Sequence, residues 1–585
     1  MVTNKYITRI ASVIMAAAVI LCLMASLFSD KLQEVYGNNA VTMKYESKLF
    51  NTDQIMDIDI LMDEDDWNNM LENAISEEYY SCNVVVNGKT FYSVGIRPKG
   101  NTSLSSIAND PDTDRYSFKL EFDHYIEGQT CYGLDKLILN NNYADATNMK
   151  EAIVYDMYQY LGVDASLYNY AKISVNGDYR GVYLALEAVE DSFMLRNYGT
   201  EDGNLYKPES MGIGGGVDGN GFPQKGEMPD GEDFPQKGEM PDGEDFPQKG
   251  EMPDGEDFPQ KDEMPDGEDF PQMGEAPNGE AADIKMGIMG GNGGADLNYT
   301  DDDLDSYSTI WDGEITDSDK KDHKRVVEAL KNISEGTDLE TYMDVDNILK
   351  YMAVHTFVVN DDSLSGTMAH NYYLYEYNGK LNILPWDYNL SFGGMSMGGK
   401  MGGQSLGATS VINDAIDTPF SITNFFDALL ENEEYLEQYH GYLNELVEKY
   451  VNGGEFEKTY ERIRSQIDDL VGNDPTAFYS YEEYEEAANM LIEVVQLRAK
   501  SVSGQLAGTI PSTDEGQQQD SSNLIDGSDI DLSVMGSFSG GGGGNEGQGK
   551  DNGFAGTPQP FDAGDVSPIS EEKADLQDSN QDSVK

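Results

Sequence analysis

The stretch VVNDDSLSGTMAHNYYLY places Asp361, Asp362, His370 and Asn371 in a loop directly after an apolar helical pattern. Farther along, ILPWDYNLSFGG puts Asp387 immediately behind a strand-like run. An acid that accepts a hydroxyl proton, an amide oxygen and a second acid for a divalent cation are the parts that phosphoryl transfer needs. Hard oxygen donors of this kind suit Mg2+ or Mn2+. His370 has no second histidine near it in sequence, so it reads as a hydrogen-bond donor that orders the loop rather than as a metal ligand.

Two earlier blocks carry charge in places that need a reason. IRPKGNTS (Ile96–Ser103) puts Lys99 and Gly100 in a turn between strands, where backbone N–H groups can approach an anion; a plain hairpin has the same composition. It is followed by RYSFKLEFD, which begins at Arg115. In LNNNYADATNMKEAIVYDM, Asp145 is a helix cap and Lys150 starts the helix. In VNGDYRGVYLALE, Glu187 ends an otherwise apolar strand, and an acid there needs a partner. Lys150 and Arg115 are both candidates for that role.

The elements that must position these residues follow from periodicity. MDIDILMDEDDW alternates into a strand and then a short helix near Trp67. Asn87-Gly88, Asn176-Gly177 and Asn378-Gly379 each sit between alternating runs and predict hairpins. YSFKLEFDHY is another strand. Met149, Ile153, Met157 and Tyr160 have helical spacing, and that helix ends at Gly162. A buried helix is predicted over Asp344–Val359. A later helix carries Leu436, Leu443, Leu446 and Tyr450 on one face. Another runs from about Tyr481 to Val502, with Met490, Ile492, Val495 and Leu497 as its core candidates.

Composition divides the 585 residues. Phe222, Phe234, Phe246, Phe258 and Phe270 recur every 12 residues in FPQKGEMPDGED units, too polar and too rich in Pro and Gly to build a core. Calcium-binding β-roll repeats need a nine-residue period, which is absent. Residues 211–300 therefore read as a disordered acidic insertion, and 506–585, with a run of glycines at Gly540–Gly544, as a disordered tail. Between them lie ordered segments 46–210 and 301–505.

The formal net charge is −69, from 107 acids against 38 bases, which disfavours nucleic acid and anionic lipid and suits basic partners or cations. Ile10–Phe28 is an almost wholly apolar run of 19 behind Lys5 and Arg9, long enough to span ~30 Å of hydrocarbon. The positive flank predicts N-inside topology, with residues 1–29 as a membrane anchor, 30–45 as a stalk and the rest outside the cell membrane; if the segment is cleaved as a signal, the protein is secreted. Three cysteines are too few for a disulfide scaffold; Cys82 and Cys131 either pair or stay as free buried thiols.

In order, the blocks Lys99-Gly100-Asn101, Arg115-Tyr116-Ser117-Phe118, Asn140 with Asp145 and Met149-Lys150, Asn176-Gly177 with Gly181, Tyr183 and Glu187, Asp362 with His370-Asn371-Tyr372, and Pro385-Trp386-Asp387-Tyr388 resemble the CotH family of spore coat protein H-like kinases. The resemblance runs over about Asp57–Tyr206 and Asp301–Val502. It implies an α+β, two-lobed atypical protein-kinase-like fold interrupted by the insertion, using ATP and a divalent metal to phosphorylate Ser or Thr of a secreted or cell-surface protein; the acidic charge of the chain adds the expectation that the acceptor Ser or Thr is flanked by Lys or Arg. Carried over, Asp362 acts on the acceptor hydroxyl, with Asp361 as its alternative because Gly366-Thr367-Met368-Ala369 lengthens the loop. Asp387 and Asn371 bind metal. Lys99, Gly100, Arg115, Lys150 and Glu187 belong to the nucleotide side, Arg115 and Lys150 contacting phosphate or pairing with Glu187. Asn389 stands where the family often has a second acid, and Arg115 where it has a lysine. The rival reading is a non-catalytic surface scaffold with the same fold, which the scarcity of extracellular ATP favours.

Overall fold

Alternation makes the strands: in MDIDIL, Met56, Ile58 and Ile60 are buried and the acids between them turn outward. The computed structural model describes residues 40–208, 293–366, 368–395, 407–420 and 422–536. Its first seven strands are β1 (Met56–Leu61), β2 (Tyr80–Val86), β3 (Lys89–Lys99), β4 (Ser117–Glu121), β5 (Lys136–Asn140), β6 (Tyr168–Val175) and β7 (Asp178–Glu187). They close into a barrel in the order β1-β2-β3-β4-β5-β7-β6. Every pair is antiparallel except the closing one, in which β1 runs parallel to β6 with Ile58 opposite Ile173. The hairpins turn at Asn87-Gly88 and Asn176-Gly177, all four with positive φ, as two-residue turns matched to strand twist require.

A second sheet of three strands has the order β10-β9-β8, with β8 at Asn204–Tyr206, β9 at Tyr372–Tyr377 and β10 at Lys380–Pro385. Residues from before and after the insertion thus share one sheet, Leu205 lying opposite Tyr375. Of the helices among the described residues, five frame the site: α1 (Lys150–Leu161), α2 (Val345–Val358), α3 (Glu433–Glu445), α4 (Glu455–Gly472) and α5 (Tyr481–Leu506). Helix α2 packs on α1 and α3, while α4 reaches both α1 and β7. One apolar cluster fills the barrel from Tyr45 to Ala185, and a larger one runs from Ile138 to Met535 among helices and small sheet. Both belong to one compact unit.

Several sequence expectations change. The chain after Gly508 is ordered as far as Gly536: Ile510 is buried, Asp514–Gln519 is helical, and Ile525 exchanges two hydrogen bonds with Asn413. This strap ends with Met535 buried, its carbonyl accepting from the Ala146 N–H at 3.1 Å. A few apolar anchors suffice where the backbone has partners. Likewise Tyr45, at the end of the expected stalk, is fully buried, and Ala295 and Leu297, inside the expected insertion, are buried too. Along α5 the buried stripe is Tyr484, Ala488, Leu491, Val495, Arg498 and Val502; Met490, Ile492 and Leu497 flank it only partly covered, so the packed face is rotated from the predicted one. Tyr160 of α1 is exposed. Cys82 and Cys131 are free and buried. The apolar run Ile10–Phe28, the 12-residue repeats and the end of the tail lie outside the described residues, among which no helix is long and apolar enough to cross a membrane.

Candidate active site

Two residues of the site flank one hairpin. Strands β9 and β10 pair with Tyr372 opposite Pro385, so Asn371, just before β9, and Asp387, two residues beyond Pro385, emerge at the same end. Both have left-handed backbone, φ 56° at Asn371 and 59° at Asp387, which non-glycine residues adopt at a cost that surrounding contacts must offset. The loop carrying Asp362 leaves the C-terminus of α2. There the buried Arg498 donates to the carbonyls of Thr356, Phe357, Ile412 and Asp414, satisfying helix-end groups and fixing where the loop starts. His370 Nε2 lies 2.7 Å from Asp362 Oδ1, and the Asn371 amide donates to Asp362 Oδ2 at 3.1 Å and to its carbonyl at 2.8 Å. Asn371 therefore has its amide nitrogen engaged, and its oxygen is the atom with the chemistry to meet a cation.

The barrel supplies the opposite side. Lys99 ends β3 and Asn140 ends β5, and Lys99 Nζ donates to Asn140 Oδ1 at 3.1 Å. The Asn140 amide in turn donates to Glu151 Oε2 at 2.8 Å. Glu151 sits in the first turn of α1, whose entry is organised by Asp145: its carboxylate accepts from the N–H groups of Thr147 and Lys150, both at 3.0 Å. Burial lowers the Lys99 ammonium, with Asp387 opposing the shift. Burial likewise raises Asp387, with Lys99 opposing and the Asp362 carboxylate adding to the rise. Glu151 is pushed up to about 8 by burial, with Asp387 adding to it. Lys99, Glu151, Asp387 and Asp362 thus share one electrostatic neighbourhood, which Lys207 at the end of β8 also enters.

Of the predicted residues, Lys99, Asp362, Asn371 and Asp387 come together. Gly100, φ 135°, turns the chain out of β3 beside them. Three others do not join. Arg115 is 2% exposed and bound to Asp474 at 2.7 Å, to Thr476 and to the carbonyls of Asn141 and Val182. Lys150 is buried, its ammonium lowered by burial with the Asp145 carboxylate opposing, and it reaches the carbonyl of Gly536 at 3.5 Å. Glu187 finds its partner in Arg196 at 2.6 Å and in the Tyr45 hydroxyl at 2.5 Å, rather than in Lys150 or Arg115. Asn389 donates to the Tyr143 carbonyl. Asp361 precedes the acid that His370 and Asn371 hold. Sequence reasoning missed Glu151 and Asn140 as partners of Lys99. The available signal was that Lys150 and Glu151 open α1 directly before the apolar run Ala152-Ile153-Val154, and both are buried with it.

Among the described residues no group of three or more His, Cys, Asp or Glu is placed to hold a metal ion. A smaller set still suits Mg2+ at a phosphate, which uses one or two carboxylates and keeps water and substrate oxygens for its other positions. The site has room in its bonding for such a group: Glu151 Oε1 is buried with no hydrogen-bond partner. No curated protein matches the chain. The family described as CotH kinase protein matches residues 96–502, from β3 through α5 and so across every side chain of the site, and the chain belongs to that family.

Proposed function

We propose that the chain is an atypical two-lobed protein kinase that transfers phosphate from ATP to Ser or Thr of secreted or cell-surface proteins. The observation that carries this reading is the meeting of Lys99, backed through Asn140 by Glu151, with Asp387, Asn371 and Asp362. Lys99 is the phosphate-binding cation, and the relay through Asn140 fixes its amine. Asp387 and the Asn371 oxygen hold Mg2+ or Mn2+, which when bound neutralises phosphate charge. Asp362 accepts the proton of the acceptor hydroxyl; with an oxygen on each of His370 and Asn371, its carboxylate is held in one orientation before the acceptor arrives. The net charge of −69 draws acceptors flanked by Lys or Arg, an attraction that salt weakens. The apolar run at Ile10–Phe28 tethers the enzyme to the outer face of the membrane.

The test is labelled-ATP transfer by the full chain with Mg2+ to a basic Ser-containing peptide. Asp362→Asn is expected to keep Mg·ATP binding and lose transfer, and Asp387→Ala to lose metal-dependent nucleotide binding while remaining folded. Asp361→Asn is expected to transfer as the parent does. A parent chain that binds ATP yet modifies neither peptide nor itself is a scaffold, and the reading fails.

A further inference from the structure

Behind the site runs a closed circuit of hydrogen bonds that the proposed chemistry leaves unused. Tyr158 of α1 and Tyr388, the residue after Asp387, join hydroxyls at 2.5 Å. Tyr388 Oη lies 3.0 Å from His355 Nδ1 on α2. His355 Nε2 meets Ser365 Oγ at 2.8 Å and Ser363 Oγ at 3.2 Å. Both serines turn to the Asn360 carbonyl, at 2.9 and 2.8 Å. Asn360 returns to the start, its amide 3.4 Å from the carbonyl of Asp387. Tyr158, Tyr388, His355, Ser363 and Asn360 are all at most 2% exposed.

One placement of the hydrogens makes all of these bonds at once. Ser363 and Ser365, whose hydroxyls also lie 3.2 Å apart, each donate to the Asn360 carbonyl, which can only accept. In that arrangement both accept from His355, whose Nε2 carries the ring hydrogen. The neutral ring leaves Nδ1 as an acceptor, Tyr388 donates to it, and Tyr158 donates to Tyr388. The ring stacks between Tyr351 and Phe420, and burial pushes it down to about 3, so it is neutral throughout the physiological range.

We propose that His355 is a positioning residue: this one-way circuit locks the Asp387 turn, the Asp362 loop and the Glu151 helix in register. It touches neither nucleotide nor acceptor. Its three anchors are the residue next to Asp387, the residue two before Asp362 and the helix that carries Glu151. Misplacement of a catalytic group by an ångström can cost about a hundredfold in rate, and a circuit of directional bonds holds the two acids against such drift. The proposal rests on the phosphotransfer reading for its kinetic part only.

The experiment has two arms on the full chain. In the first, Tyr158→Phe, Ser365→Ala, His355→Leu and His355→Gln are compared for kcat, KM for ATP and melting temperature. The expected result is a loss in kcat of about tenfold or more with KM held, which is well within the reach of misplacement. His355→Gln, whose amide reproduces the Nε2 donor, retains more rate than His355→Leu. Tyr158 and Ser365 have no hydrogen bond to one another, yet Tyr158→Phe combined with Ser365→Ala is expected to cost no more than the worse single change. Should His355→Leu fail to fold, the two milder variants carry the kinetic test. Additive losses, or folded variants with unchanged kcat, overturn the proposal. The second arm needs no activity: in 15N histidine spectra, the signal absent from His355→Gln should be a neutral ring protonated at Nε2 and should shift in Tyr388→Phe. A cationic ring or an Nδ1–H tautomer overturns the circuit even if the chain transfers no phosphate, and a parent chain without transfer but with the expected spectrum counts against the kinase reading alone.

Discussion

Two buried groups of charged side chains lie near each other in this molecule and are built on opposite principles. Arg115 and Asp474 are each 2% exposed, and the guanidinium donates to a carboxylate, a hydroxyl and two carbonyls. Asp474 also accepts from the Val182 N–H. The pair is closed, and it joins the barrel to the segment between α4 and α5. At the other group, Lys99 donates to the amide oxygen of Asn140, Glu151 keeps a buried oxygen with no hydrogen-bond partner, and Asp387 sits in left-handed backbone with its carboxyl raised by burial. Saturated burial of charge makes a joint; unsaturated burial makes a place where a ligand's charge is missing.

The widest gap between the two should appear on truncation. Arg115→Ala leaves Asp474 as an uncompensated buried charge, a loss of about 3–5 kcal/mol, whereas Asp387→Ala removes a strained, desolvated charge and should leave the melting temperature near that of the parent. Thermal unfolding of both variants decides it; an Arg115→Ala chain as stable as the parent would erase the distinction.

A smaller effect comes from Gly181, whose φ is 138° and where an added Cβ would overlap both Arg115 and Asp474. Gly181→Ala should cost about 1–3 kcal/mol by overpacking. Chemical denaturation should show a smaller cost in an Arg115→Ala background, because the crowded partner is gone. Equal costs in both backgrounds would place the strain in the backbone alone.

A pH effect sharpens the other half. Glu151 is pushed up to about 8, while the same side chain in the unfolded chain titrates near ~4.3. Between those values the folded state holds a proton that the unfolded state has released, so this group makes stability fall as pH rises through the window. Glu151→Gln should flatten that fall in metal-free melts between about pH 5 and 8, while lowering transfer. An unchanged slope would mean that another group titrates there.

The parts of the fold legible in the sequence are those that neighbours in the chain decide. Asn-Gly turns between alternating runs announce hairpins, Gly162 ends α1 with φ 72°, and an acid behind Pro385-Trp386 stands out after a buried strand. What was not legible depends on distant partners. The parallel pairing of β1 with β6 follows from no pattern within either strand. Arg115 looked as fit for phosphate as Lys99 because its partner Asp474 lies 359 residues away. Glu151 was overshadowed by Lys150 beside it, since burial tells which residues need partners and not which partners they find. The strap from Gly508 to Gly536 has the composition of a tail, and only its contacts with Asn413, Ala146 and Lys150 make it structure.

That strap also sets a clock on biosynthesis. Lys150 and the Gly536 carbonyl that receives its ammonium are 386 residues apart. At about 5–20 residues per second, the lysine waits about 20 to 80 seconds for its cover after it is made. Gly536, φ 81°, fits against Ala144 and Ala146 where a side chain would collide, so the fastener is backbone and no nearby residue can stand in for it. The barrel strands are complete by Glu187, and the pocket for the fastener opens among residues that have long since emerged. The first turn of the helix bearing Glu151 is therefore sealed among the last steps of folding, and a chain released before Gly536 carries a finished barrel beside an unsealed site.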